Sequence, residues 1–161
     1  MKAMKKGMAL VLCLVLCVTV LTGCGGSKAL EQIKPQEGKE VYTLTGECTA
    51  EVKDGKITIY LTSNLLEGTV ACFSVDSYDG EELVNESYAI SGETVSVSFD
   101  IPAEWEGKAV YATVTAAPSL AKQPGEVTDA YGRYFQNIDG ENIIWNKTEN
   151  IFIAQSGKIE L

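Results

Sequence analysis

The side chains with which this chain could do chemistry are carboxylates, lysines, serines, aromatics and thiols, because none of its 161 residues is a histidine. That removes the commonest general base and the commonest zinc ligand, and with them Ser-His-Asp, Cys-His and His-zinc sites. Asp76, Asp79, Glu81 and Glu82 crowd one short stretch. A calcium loop needs oxygen ligands at alternating positions, and this spacing lacks them. The stretch reads instead as a solvated hairpin tip whose Asp79-Gly80 pair makes the turn. Glu104 with Glu106, and Glu141 with Glu149, have no sequence context that would make them an acid–base pair. No metal or cofactor is expected.

Ser119-Leu120-Ala121-Lys122 matches the Ser-x-x-Lys nucleophile motif of penicillin-binding proteins and serine β-lactamases. That motif works on a helix, with a Lys-Thr-Gly strand and a Ser-x-Asn element beside it. Here Pro118 and Pro124 bracket the tetrad and neither partner motif exists, so the chain is read as a non-enzyme. Tyr131, Tyr134, Phe135 and Trp145, joined by Trp105, admit two readings. They form a stacking platform for a sugar or a peptide, or they cap the open end of a core.

The elements that must position these groups are strands. From Val41 onward the pattern has period two, most cleanly over 56–62 and 94–101, with β-branched and aromatic residues on alternate positions. Asp54-Gly55, Glu67-Gly68, Asp79-Gly80, Ser91-Gly92 and Glu106-Gly107 punctuate it every 12 to 15 residues. That rhythm is the one short strands show in a sandwich or barrel. Strands are predicted near 42–53, 56–62, 69–77, 82–90, 93–101 and 108–117. A short helix is predicted over 124–132, with proline near its start and glycine past its end. Closing strands are predicted at 151–154 and 158–161, and 133–150 is the least regular stretch.

The alternating segment 107–118 resembles the penultimate strand of fibronectin-type and immunoglobulin-like sandwiches. With the turn spacing it implies an all-β, immunoglobulin-like antiparallel β-sandwich over 41–161, with a short helix in the C-terminal connection. A two-residue loop at Asp54-Gly55 would set Val52 opposite Ile57, Ala50 opposite Ile59 and Cys48 opposite Leu61, turning Cys48 into the core. The Asp79-Gly80 hairpin sets Val75 opposite Val84 and Ala71 opposite Tyr88, and Cys72 falls on the other, outward face. Exported chains often join such thiols, but a disulfide needs convergent Cβ vectors. Two separate thiols are the favoured expectation.

Residues 1–23 are of a different kind. Lys2, Lys5 and Lys6 precede an uncharged apolar run over 8–20, and Leu21-Thr22-Gly23-Cys24 follows. Basic head, short apolar run and small residues at the cut make a secretory signal. The tetrad resembles the lipobox of bacterial lipoproteins, which implies cleavage before Cys24 and a diacylglyceryl anchor on its thiol. Two acyl chains hold a protein stably where one does not. The resemblance implies a lipid-anchored domain on the extracytoplasmic face of the cell membrane. Cleavage would leave 138 residues, and the formal charge would fall from −9 to −12. So acidic a surface does not attract nucleic acid or anionic headgroups. Residues 25–40 read as a flexible tether spanning about 22 Å. The expected function is binding or scaffolding, with a cell-envelope protein or a glycan as partner; the alternatives are a carbohydrate-binding module using the aromatics of the C-terminal connection and, last, a small cell-envelope enzyme.

Overall fold

The computed structural model describes residues 33–161. The signal segment 1–23, its Leu21-Thr22-Gly23-Cys24 tetrad and the first part of the tether lie outside the described residues. Within them, alternation becomes pleat. Strands β1 (Tyr42–Thr43), β2 (Gly46–Lys53) and β3 (Lys56–Ser63) open the fold, followed by β4 (Val70–Ser77), β5 (Glu82–Ala89), β6 (Thr94–Asp100) and β7 (Ala109–Ala116). One helix, α1 (Gly125–Tyr131), then precedes β8 (Ile138–Asp139), β9 (Ile143–Trp145), β10 (Asn150–Gln155) and β11 (Ile159–Glu160).

The strands form two packed antiparallel sheets. One runs β2-β3-β6, and the other runs β5-β4-β7-β10-β9, with β11 pairing the start of β7. The β2–β3 and β4–β5 hairpins thus lie in different sheets, β6 returns to the first and β7 to the second, and the last long strand, β10, lies beside β7. This is the strand order of an immunoglobulin-like sandwich. β1 and β8 add a small parallel pair.

The β2–β3 turn shows how local chemistry sets register. Asp54 and Gly55 both have positive φ, 52° and 74°, as a two-residue primed turn requires. Pairing follows as predicted: Val52 with Ile57, Ala50 with Ile59, Cys48 with Leu61. Ile57, Ile59 and Leu61 are fully buried. The outward face of the same strand bonds laterally, Thr58 to Ser98 at 2.8 Å and Thr62 to Thr94 at 3.1 Å. A one-residue slip would reverse both faces, so burial and turn enforce one register.

β7 is the central strand of the larger sheet. Val110, Ala112, Val114 and Ala116 all point inward and are fully buried. They meet Phe73 and Val75 of β4 and Phe152 of β10 in one core with the smaller sheet. Ser156 separates β10 from β11: its hydroxyl accepts the Ala112 N–H at 2.9 Å while its own N–H donates to the Ala112 carbonyl.

Both thiols are free. Cys48 faces the core, and burial pushes its thiol up to about 11, against a weaker opposing backbone hydrogen bond from Ser156. Cys72 takes the opposite side of its sheet from Phe73, as its register requires, yet it is buried. It lies in a shallow groove with Tyr111, Thr115, Leu120 and Ile153, its sulfur 3.3 Å from the Ser87 hydroxyl.

The tether is partly docked. The Gln36 N–H donates to Asn137 Oδ1 at 2.9 Å, and Asn137 Nδ2 donates back to Gln36 Oε1 at 3.1 Å. The contact lies ahead of β1, five residues before the expected domain start at Val41. Among the described residues no helix is long and apolar enough to cross a membrane.

Candidate functional site

The C-terminal connection between β7 and β10 carries most of the candidate residues, and side-chain amides hold it in place. Pro118, which has no N–H to give, follows the end of β7. Gln123 then extends the β4 ladder: its Oε1 accepts the Val70 N–H at 3.0 Å and its Nε2 donates to the Val70 carbonyl at 2.9 Å. Pro124 sits immediately ahead of α1, its φ of −59° already suited to a helix start.

α1 ends by sending Tyr131 into the core. Its ring meets Tyr42 and Phe135 edge-on, with centroids 5.4 and 5.3 Å away. Its hydroxyl accepts the Leu66 N–H at 2.7 Å. Burial raises the phenol's pKa, opposed by that hydrogen bond. Gly132 ends the helix at φ 85°, where a Cβ would collide with the Gln136 amide. Phe135 turns back inward with φ 55°. Arg133 and Tyr134, between the two inward aromatics, are left on the surface.

The four-aromatic platform is therefore corrected. Tyr131 and Phe135 have no exposed surface and belong to the core, whereas Tyr134 and Trp145 are 45% and 40% exposed. The physical reason is the tight turn after α1, which needs two large side chains to close the end of the sandwich. Trp145 stands on β9 opposite Asn150. Trp105 is buried, in a short 3-10 turn at Ala103–Trp105.

Tyr134 opens onto a groove of about 380 Å³ lined by Ser119, Lys122, Thr128, Arg133, Thr148 and Glu149 among others. That is large enough for a small ligand. The Arg133 guanidinium lies over the Tyr134 ring, 5.5 Å from its centroid. Glu149 lines it from a buried position. Although 4% exposed, its carboxylate is well supplied with donors: the Ser119 N–H at 3.0 Å, the Ser119 hydroxyl, and Asn146 Nδ2 at 3.3 Å. Asn146 Oδ1 in turn accepts the N–H groups of Thr148 and Glu149 at 2.8 and 3.0 Å. The Ser119 proton thus goes to a carboxylate, not to Lys122 as a Ser-x-x-Lys nucleophile would need.

Neither Lys122 nor Arg133 has a carboxylate within 4 Å among the described residues, where the ion pairs are Lys56–Asp100, Lys108–Glu81 and Lys158–Glu160. The described residues hold no cluster of three or more metal-ligating side chains. The acidic turn around Asp79 keeps Asp76 and Glu82 bonded to neighbours, Asp76 to Ser74 at 2.8 Å and Glu82 to Asn85 at 3.0 Å.

Sequence reasoning missed Arg133 and the part Glu149 plays. The signals available were the chain's single arginine, adjacent to a tyrosine, and the density of Asn and Gln over 123–150. No protein-family model matches the chain, and no curated protein matches it.

Proposed function

We propose that this chain is a lipid-anchored extracytoplasmic binding module, held at the membrane by a diacylglyceryl group on Cys24. The observation that carries the reading is the Leu21-Thr22-Gly23-Cys24 tetrad behind a basic head and an apolar run, followed by a tether and a sandwich. An acidic domain gains little from anionic headgroups, so the anchor does the holding. The groove beside Tyr134 supports binding, because it gathers an exposed ring, hydroxyl groups and two cations that are unpaired among the described residues in one depression.

The test is metabolic labelling with a fatty acid, followed by membrane fractionation. Label on the wild-type chain and its loss in Cys24→Ser, together with release from the membrane fraction, are the expected outcomes. An unlabelled, unprocessed cytosolic product would refute the anchor. The scaffolding alternative is favoured by the burial of Tyr131 and Phe135, which halves the aromatic surface open to a ligand.

A further inference from the structure

We infer that the groove beside Tyr134 takes a carboxylate-bearing sugar, a ligand class that rests on the binding-module reading and deepens it. Charge sets this groove apart. Two other grooves on the domain carry only acidic ionisable groups besides neutral ones: Glu67 and Glu93 in one, Asp76 and Glu82 in the second, whose Cys72 thiol and Tyr111 phenol are also present. The groove beside Tyr134 is lined by Lys122 and Arg133 against the single carboxylate of Glu149. On a mature chain of formal charge −12 this is a local reversal of sign, and a concave site focuses such a field.

Glu149 does not cancel it in kind. Its oxygens are occupied by three donors from Ser119 and Asn146, whereas the two cations have no ion-pair partner among the described residues. A guanidinium in that state is suited to a carboxylate, whose two oxygens match its planar fork.

Shape and polarity fit the same ligand. Tyr134 offers a half-exposed ring, and an aromatic face suits the C–H face of a sugar. The Arg133 guanidinium lies over that ring, 5.5 Å from its centroid, so cation and ring are close enough to meet one ligand together. The remaining lining, with Ser119, Thr128 and Thr148, supplies hydroxyls that exchange hydrogen bonds with a polyol. A simple inorganic anion would use the cations and leave the ring and hydroxyls idle. A neutral sugar would leave the cations unpaired.

The experiment is calorimetric titration of the full chain in detergent micelles with glucuronate, galacturonate and N-acetylmuramate. Their methyl esters, glucose and inorganic phosphate serve as comparison ligands. Binding of at least one acid is expected, about tenfold or more tighter than its ester, because a charge-assisted bidentate contact is lost in the ester. Arg133→Gln is expected to weaken the acid about tenfold or more, and Tyr134→Ala to weaken acid and ester alike. Both positions are exposed, and circular dichroism checks that the variants fold. Equal affinity for acid and ester, equal affinity for phosphate, binding indifferent to Arg133→Gln, or no binding of any acid would each overturn the inference. Ester binding that Tyr134→Ala removes would overturn the acidic class while keeping a sugar-binding module. The membrane anchor is judged separately by Cys24 labelling.

Discussion

The sandwich proper, 46–116, and the connection that follows it, 118–149, are held by different physics. In the first, backbone ladders satisfy the peptide groups and alternating apolar side chains fill the core: Ile57, Ile59 and Leu61 face Phe73, Val75 and the inward residues of β7. In the second, side-chain amides do what ladders do elsewhere. Gln123 completes β4, Asn137 docks Gln36, and Asn150 donates to the Phe135 carbonyl at 3.1 Å. Asn142 bridges the sheets, accepting the Gly46 N–H at 2.8 Å and donating to the carbonyls of Gly46 and Ile153 at 3.0 Å each. An irregular segment can satisfy its backbone groups when amides replace the neighbouring chain. Such a segment can also leave side chains free at its surface, which is where Arg133 and Tyr134 stand.

The contrast can be broken by substitution. Phe73→Ala should cost about 3–5 kcal/mol in urea denaturation and lower every probe together, since it empties the centre of the core. Asn142→Ala should cost about 1–3 kcal/mol, because Gly46 and Ile153 lose partners in a part-buried site. Its effect should fall on hydrogen exchange in 136–146 and at Gly46 before it reaches β7. An Asn142 variant that destabilises all segments as much as Phe73→Ala would dissolve the distinction between the two regions.

Cys48 sharpens the same contrast from the sandwich side, and its effect is confined to alkaline pH. The folded thiol keeps its proton to about pH 11, against 9.0 for the ordinary group. Between those values the folded state binds more protons than the unfolded one, so stability falls as pH rises. Wild type should lose stability through that window, and Cys48→Ala should flatten the loss. A pH profile identical in the two proteins would remove Cys48 from the core face.

The sandwich was largely legible in the residues, and the candidate site much less so. β2 and β3 pair as the Asp54-Gly55 turn dictates because a period-two pattern and a two-residue loop leave one register. The β4–β5 hairpin keeps Val75 opposite Val84, then shifts register at Asp76 to pair with Glu82. That bulge is confined to the turn, so the facing of Cys72 survives it. Its burial does not follow from register, because it depends on the groove made with Leu120 and Ile153, which come from elements far along the chain.

By itself the sequence determined the strand rhythm, the hairpin registers and the short helix, which depend on neighbours within a few residues, and through composition alone the absence of histidine chemistry. Only the tertiary structure decided which aromatics are core and which are surface. Tyr131 and Tyr134 are alike in type and three positions apart, yet a helix end at Gly132 sends one inward and leaves the other beside Arg133. The same closure carries Glu149 to Ser119, 30 positions away. Contacts at that separation have no local signature: they are chosen by which buried groups find partners when the two sheets close.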